Sequence, residues 1–256
     1  IILGHVWGTA VVAVYGLGSR MNSIYLGFST SISSVFAPRI NRIVAEGRDV
    51  DNSLLSLMIR VGRIQGLLLS LLLLGLVLLG RPFLLWMGGS EAYLSSYPVM
   101  LLLIVPATIP LVQNLGIEIQ RAKNRHQFRS LIYAGMAGIN VAVSLILVRP
   151  FGAVGVAAGT ALSLILANGF VMNWYYHRHL GLNMATFWRS LGSLAKGAVL
   201  PAVYCVLCGV TLDLFQPACF FLSGCGLVVV YALSMWRWGM NEEEKDLVRK
   251  PLLTRG

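Results

Sequence analysis

An arginine at position 20 interrupts an otherwise small and apolar run, TAVVAVYGLGSRMNSIYLGF (Thr9–Phe28). Gly16, Arg20, Ser23, Gly27, Ser31 and Ser34 follow one another at steps of three and four, so on a helix they share one face. A guanidinium in the middle of a bilayer-spanning helix costs about 2.5–3.5 kcal/mol on insertion scales, so such residues generally face a cavity or a partner. The chemistry open to Arg20 is capture of an anion such as a phosphate. Pairing with a buried acid or carbonyls for packing alone is the other reading. Arg60 and Arg63 lie one turn apart further on. Snorkelling toward headgroups accounts for both, and binding an anionic headgroup at a cavity mouth is the alternative. Covalent chemistry has less to draw on. Glu46, Asp49, Asp51, Glu91, Glu118 and Asp213 are scattered, and His5, His126, His177 and His179 offer no third ligand for a metal. Cys205 and Cys208 form a C-x-x-C inside an apolar run, which reads as packing.

Those residues sit in a chain of 256 residues that is 57% hydrophobic and 12% charged, where a soluble domain carries charge on about 25% of its residues. The net charge is +10. A nucleic-acid binder gathers such charge on one soluble face, whereas here it falls between long apolar runs. Seven of these runs are long enough to span, against the ~20 residues a bilayer core requires: Thr9–Phe36, Leu54–Gly80, Tyr97–Glu118, Phe128–Val148, Gly152–Tyr175, Leu191–Leu212 and Phe215–Trp236. The expected fold is therefore all-α, a polytopic membrane helix bundle of about seven transmembrane helices.

Basic residues alternate along the connections. Arg39, Arg42 and Arg48 follow the first run, and only Arg81 follows the second. Arg121, Lys123, Arg125 and Arg129 follow the third, and only Arg149 the fourth. Arg178, Arg189 and Lys196 flank the fifth-to-sixth connection, none lies in the next, and Arg237, Lys245, Arg249, Lys250 and Arg255 occupy the tail. The positive-inside rule then puts the amino terminus outside and the carboxyl terminus in the cytoplasm. An external start without an export signal reads as a fragment lacking earlier spans.

The stretch Tyr97–Arg129 organises this pattern. Pro106 and Pro110 free backbone groups that a bilayer tolerates only where protein or water satisfies them. Gln113, Asn114 and Glu118 then turn the run polar before the four basic residues. It reads as a cavity-lining helix leaving on the cytoplasmic side. Glu118 is either a local partner of Arg121 or a titratable group near the cavity. Gly155, Gly159 and Ser163 supply the four-residue spacing of small residues that lets membrane helices approach closely. In the tail, Asn241 can cap a short helix whose Glu242–Glu244 and Arg249–Lys250 suit its dipole.

The segments TAVVAVYGLGSRMNS (Thr9–Ser23), VFAPRINRIVAEG (Val35–Gly47), LMIRVGRIQ (Leu57–Gln65), NLGIEIQRAKNRHQFRS (Asn114–Ser130), GAVGVAAGTALSLILANG (Gly152–Gly169) and SMWRWGMNEEEKDLVRKPL (Ser234–Leu252) resemble, in order and spacing, the carboxyl-terminal half of bacterial polysaccharide-export flippases. These belong to the multidrug/oligosaccharidyl-lipid/polysaccharide exporter superfamily. The resemblance covers nearly the whole chain. It implies a fourteen-helix fold of two six-helix lobes and two extra helices. Residues 1–180 would be the carboxyl-terminal lobe, 181–239 the two additional helices and 240–256 a short cytoplasmic tail, with Ile1–Leu3 the end of a preceding helix.

The implied activity is flipping of a lipid-linked oligosaccharide across the bacterial cytoplasmic membrane by alternating access, without enzyme chemistry, cofactor or metal. The implied partners are the oligosaccharide pyrophosphate, membrane lipids and an amino-terminal lobe absent from this chain. Arg20 is the residue the resemblance carries over as a pyrophosphate holder. Ser23, Arg60, Arg63, Gln113, Asn114 and Glu118 complete the candidate substrate-binding set. A cation-coupled multidrug antiporter of the same superfamily is the alternative, and would favour a buried acid over a buried cation. A membrane-embedded transferase of the same pathway would need paired acids or an acid–histidine pair, and a non-transporting scaffold would need none of these.

Overall fold

The structure is a computed structural model that describes residues 2–125 and 127–253, with side chains described for 8–125, 127–247 and 249. Ile1, His126 and Arg255 lie outside the described residues, as do the side chains of His5 and Lys250. Among the described residues every element is helical. Among the described residues five helices are long and apolar enough to cross a membrane, and large apolar side chains such as Leu131, Ile146, Val210 and Leu222 point outward. That is the make-up of a multi-pass membrane protein, in which the outer surface is apolar because its solvent is lipid.

The sequence pattern led to an expectation of seven spans, and the difference has two sources. Helix α1 (Ile2–Val35) breaks at Gly8, where φ is 78°. It is not among the five, and from Ser19 onward it carries Arg20, Asn22, Ser23 and further hydroxyls. Expected spans four and five form one continuous run from Gln127 to His179. That run consists of α6 (Gln127–Leu164), a π-helical segment (Ile165–Met172) and α7 (Asn173–His179). It folds back on itself at Gly152, where φ 55° and ψ −128° break the helix just after Pro150.

The two arms then pack at the expected small residues. Asn140 approaches Thr160 at 3.4 Å, and a Cβ on Gly159 would sit 2.5 Å from Ser144 Oγ. A Cβ on Gly155 would run into the Leu147 carbonyl, which is backbone and cannot rotate away. Gly155→Ala should therefore lower stability by about 1–3 kcal/mol through overpacking, read as thermal unfolding in detergent. Gly192→Ala, which has open space around it, should leave the midpoint unchanged or raised, because alanine is the better helix former.

The remaining elements are α2 (Ala37–Glu46), α3 (Val50–Gly88), a 3-10 turn (Glu91–Ser95), α4 (Ser96–Val112), α5 (Leu115–Ala122), α8 (Met184–Thr211), α9 (Pro217–Ser234), a second π-helical segment (Met235–Gly239) and α10 (Glu242–Leu253). The core is one cluster running from Met21 and Tyr25 through Leu54, Met58, Met100, Ile104, Leu115 and Phe187 to Met235. It passes without a gap across position 180, so α8 and α9 pack onto α3 as part of the same body. Tyr231 reaches the Leu67 carbonyl at 2.6 Å. Cys205 and Cys208 sit with Leu78 and Leu227 in a smaller apolar cluster.

The connections that alternate in charge separate in space. Lys123 Nζ bonds Asp51 Oδ1 at 2.6 Å and the Leu180 carbonyl at 2.9 Å, and Arg125 bonds the His179 carbonyl at 2.6 Å. These contacts, with those of Arg63 below, gather the basic connections at one end of the bundle. At the other end Trp86 meets Phe220, with ring centroids 4.7 Å apart.

Candidate functional site

Helix α1 divides along its length as its sequence suggests. Met21, Tyr25, Ser29 and Ser33 are buried. Tyr25 is held by the Leu69 carbonyl at 3.2 Å and Thr108 at 2.9 Å, and Ser29 Oγ donates to the Leu111 carbonyl at 2.9 Å. Gln65 Nε2 bonds the Ser29 carbonyl and Ser33 Oγ at 3.1 and 2.7 Å. The other face carries Gly16, Arg20, Ser23, Gly27, Ser31 and Ser34, and all six are exposed. Ser23, Ser31 and Ser34 satisfy their hydroxyls on α1's own carbonyls. No other part of the described chain covers that face.

Arg20 has no hydrogen bond or ion pair among the described residues. It lines a recess of about 250 Å³ with Ala13, Gly16, Leu17, Met87, Gly88 and Tyr93. Helical side chains lean toward their own N-terminus, which carries the guanidinium toward Gly88, at the end opposite the basic connections. Along the same α1–α3 seam runs a groove of about 450 Å³ lined by apolar side chains, among them Met21, Phe28, Leu72, Phe83 and Phe220, with Gly75 and Gly224 widening it. One seam thus offers an unpaired cation beside a hydrocarbon-like slot.

The other candidate residues lie elsewhere. Arg20 shares its recess with Met87, Gly88 and Tyr93, whereas Arg60 lies in the first third of α3, toward the basic end. Arg60 is exposed and lines a recess of about 860 Å³ at the basic end with Arg39, Arg42, Glu46 and Asp49. Glu118 accepts from Arg121 at 2.8 Å, the local pair that its spacing allows. Asn114 is buried just before α5 and does not cap it with its side chain.

Arg63 is buried and spends every N–H within the chain. Its Nε and Nη2 grip Glu244 at 2.6 and 2.8 Å, Nη1 bonds Ser193 Oγ at 2.7 Å and the Ser190 carbonyl, and Nη2 also bonds the Gly239 carbonyl at 2.8 Å. A guanidinium has five such donors, so none is left for a ligand. Glu244 in turn forms a capping box with Asn241, at 3.0 and 3.1 Å. Arg63 is the staple that fixes α10 and α8 to α3.

The central stretch takes a different place from the cavity wall expected for it. Of the five candidate spans, the one containing α4 is the most enclosed, with Val99, Met100, Leu103, Ile104, Pro106 and Ala107 all buried. After Pro106 and Pro110 the backbone tightens into three-residue bonds, Asn114 to Leu111 at 3.2 Å and Gly116 to Gln113 at 2.9 Å, and α5 departs as a separate helix. Buried Gln113 donates to the Asn168 carbonyl at 3.1 Å, and Tyr133 donates to Asn168 Oδ1 at 2.6 Å. Asn168 lies within the first π-helical segment, a departure often found at functional positions. Its role escapes pattern reading because an asparagine in an apolar run carries no mark of its partners.

No group of three or more His, Cys, Asp or Glu among the described residues is placed to hold a metal ion. No family model matches the chain, and neither the curated proteins nor the solved structures compared with it yield a match.

Proposed function

We infer that this chain is a half of a membrane flippase that moves lipid-linked oligosaccharides across the bacterial cytoplasmic membrane. The observation that carries the reading is the α1–α3 seam, where unpaired Arg20 stands beside an apolar groove. An amphiphile with an anionic head and a long hydrocarbon chain matches both parts. Arg20 would hold the pyrophosphate through charge-assisted hydrogen bonds, and the groove would take the chain. The uncovered polar face of α1 would then line the cavity shared with a second lobe, and rocking of the lobes would move the head across. In this reading the bundle has seven spans, with α1 the first and the arms of α6 counted separately, and the basic end lies in the cytoplasm. Arg63 is left out of the binding set, because its donors are committed, and Arg60 would meet headgroups at the basic end.

The test is translocation of a fluorescent undecaprenyl-pyrophosphate sugar in proteoliposomes, using the protein expressed from its native reading frame. Arg20→Ala should slow flipping roughly 10- to 100-fold, the loss of a hydrogen bond to a charged group at about 1.5–3 kcal/mol, with Arg20→Lys in between. Flipping by Arg20→Ala at the wild-type rate would exclude the mechanism.

A further inference from the structure

A second recess, separate from the α1–α3 seam, lies at the basic end where α5 turns into α6. It encloses about 490 Å³ and is lined by Ile117, Gln120, Arg121, Asn124, Arg129 and Ser130. Asn124 takes the left-handed conformation, φ 54°, and the turn closes with Arg125 N–H on the Gln120 carbonyl at 2.8 Å. Arg129 lies 4.7 Å over the Tyr133 ring and bonds its hydroxyl at 3.1 Å. Glu118 engages one Nη of Arg121. No acid lines the recess itself. On its floor Gln120 is completely buried, yet both polar atoms of its amide lack a hydrogen-bond partner among the described residues.

A buried amide left unpaired on both atoms costs free energy that no contact among the described residues returns. Its two atoms ask for different things. Nε2 needs an acceptor and Oε1 needs a donor. Two arginines supply positive charge above it. A carboxylate or fully ionised phosphate only accepts, so it would satisfy the arginines and Nε2 but leave Oε1 bare. A hydroxyl both donates and accepts. We propose that this recess binds a phosphate that carries hydroxyl groups, a phosphorylated sugar or polyol, with Arg121 and Arg129 on the phosphate and Gln120 on a hydroxyl. The volume lies within the range of small-molecule sites. The ligand chemistry has two sources, a soluble sugar phosphate or the phosphoglycerol headgroup of a lipid.

The test is equilibrium binding of glucose 1-phosphate to the purified chain in nanodiscs, with inorganic phosphate and glucose as comparisons. Glucose 1-phosphate should bind at least ten times more tightly than either. Gln120→Leu removes both orphan atoms and keeps the volume, so the unliganded unfolding midpoint should hold or rise while the preference over inorganic phosphate disappears. Arg121→Gln, at a largely exposed rim position, provides the second variant, with about tenfold weaker binding at an unchanged midpoint. Competition by phosphatidylglycerol in the disc, against none by phosphatidylcholine, assigns the site to a headgroup. Absence of competition assigns it to a soluble phosphate. Equal affinity for glucose 1-phosphate and inorganic phosphate, or wild-type affinity in Gln120→Leu, overturns the proposal. Arg20→Ala should leave this binding untouched, so a failure here is separable from a failure at the α1–α3 seam.

Discussion

Glu244→Gln is expected to destabilise the chain by about 3–5 kcal/mol, the range for breaking a buried ion pair by removing one partner. The reason is the asymmetry of the pair. A lone buried carboxylate can take up a proton, but a guanidinium has no such neutral form to fall back on, and Arg63 is only 4% exposed. The substitution therefore leaves a cation buried against the Ser190 and Gly239 carbonyls and Ser193, with nothing to neutralise it. Arg63→Met combined with Glu244→Leu should recover most of the loss, because apolar replacement of both partners removes the desolvation cost along with the attraction. Thermal unfolding in detergent reads both. A Glu244→Gln midpoint within error of wild type would mean that α10 is not held by this pair.

Gly75→Phe should separate the two halves of the amphiphile. Gly75 lines the apolar groove and a Cβ added there meets nothing within 4 Å, so the backbone should accept the substitution while the ring takes up the width of the groove. Each methylene of a hydrocarbon chain is worth about 0.8 kcal/mol on burial, and displacing a few of them should weaken binding of undecaprenyl pyrophosphate roughly 100-fold. A short-chain pyrophosphate such as isopentenyl pyrophosphate, which has little chain to lose, should bind as to wild type. Isothermal titration of both ligands makes the comparison. Equal weakening of both would place the head, not the tail, in the groove.

Much of this was legible in the residue pattern, and for local reasons. The alternation of basic and neutral connections needs no knowledge of packing, and the basic connections do meet at one end through Lys123, Asp51, Arg125 and His179. The three- and four-residue rhythm of Gly16, Arg20, Ser23 and Gly27 picks out a face that the chain leaves uncovered. The small-residue spacing of Gly155, Gly159 and Ser163 marks where the two arms of α6 approach, and the gap between the runs ending at Val148 and starting at Gly152 coincides with the bend. What escaped is long-range. Arg63 and Glu244 are 181 positions apart, and nothing near either one names the other. Prolines in α4 announce a broken backbone ladder, but not whether protein or water repairs it. In the fold much of α4 is buried in the core. Gln120 hid inside a basic run, where its neighbours' charges drew attention away from an amide whose importance lies in its burial.

Capture of an anionic head by Arg20 is the step on which the proposed flipping depends. The most direct measurement is equilibrium binding of undecaprenyl-pyrophosphate sugar to the chain in nanodiscs, wild type against Arg20→Ala. Affinity should fall at least tenfold in Arg20→Ala while the unfolding midpoint stays put, since the side chain is exposed and makes no bond within the described chain. Equal affinity for the two proteins would contradict the account.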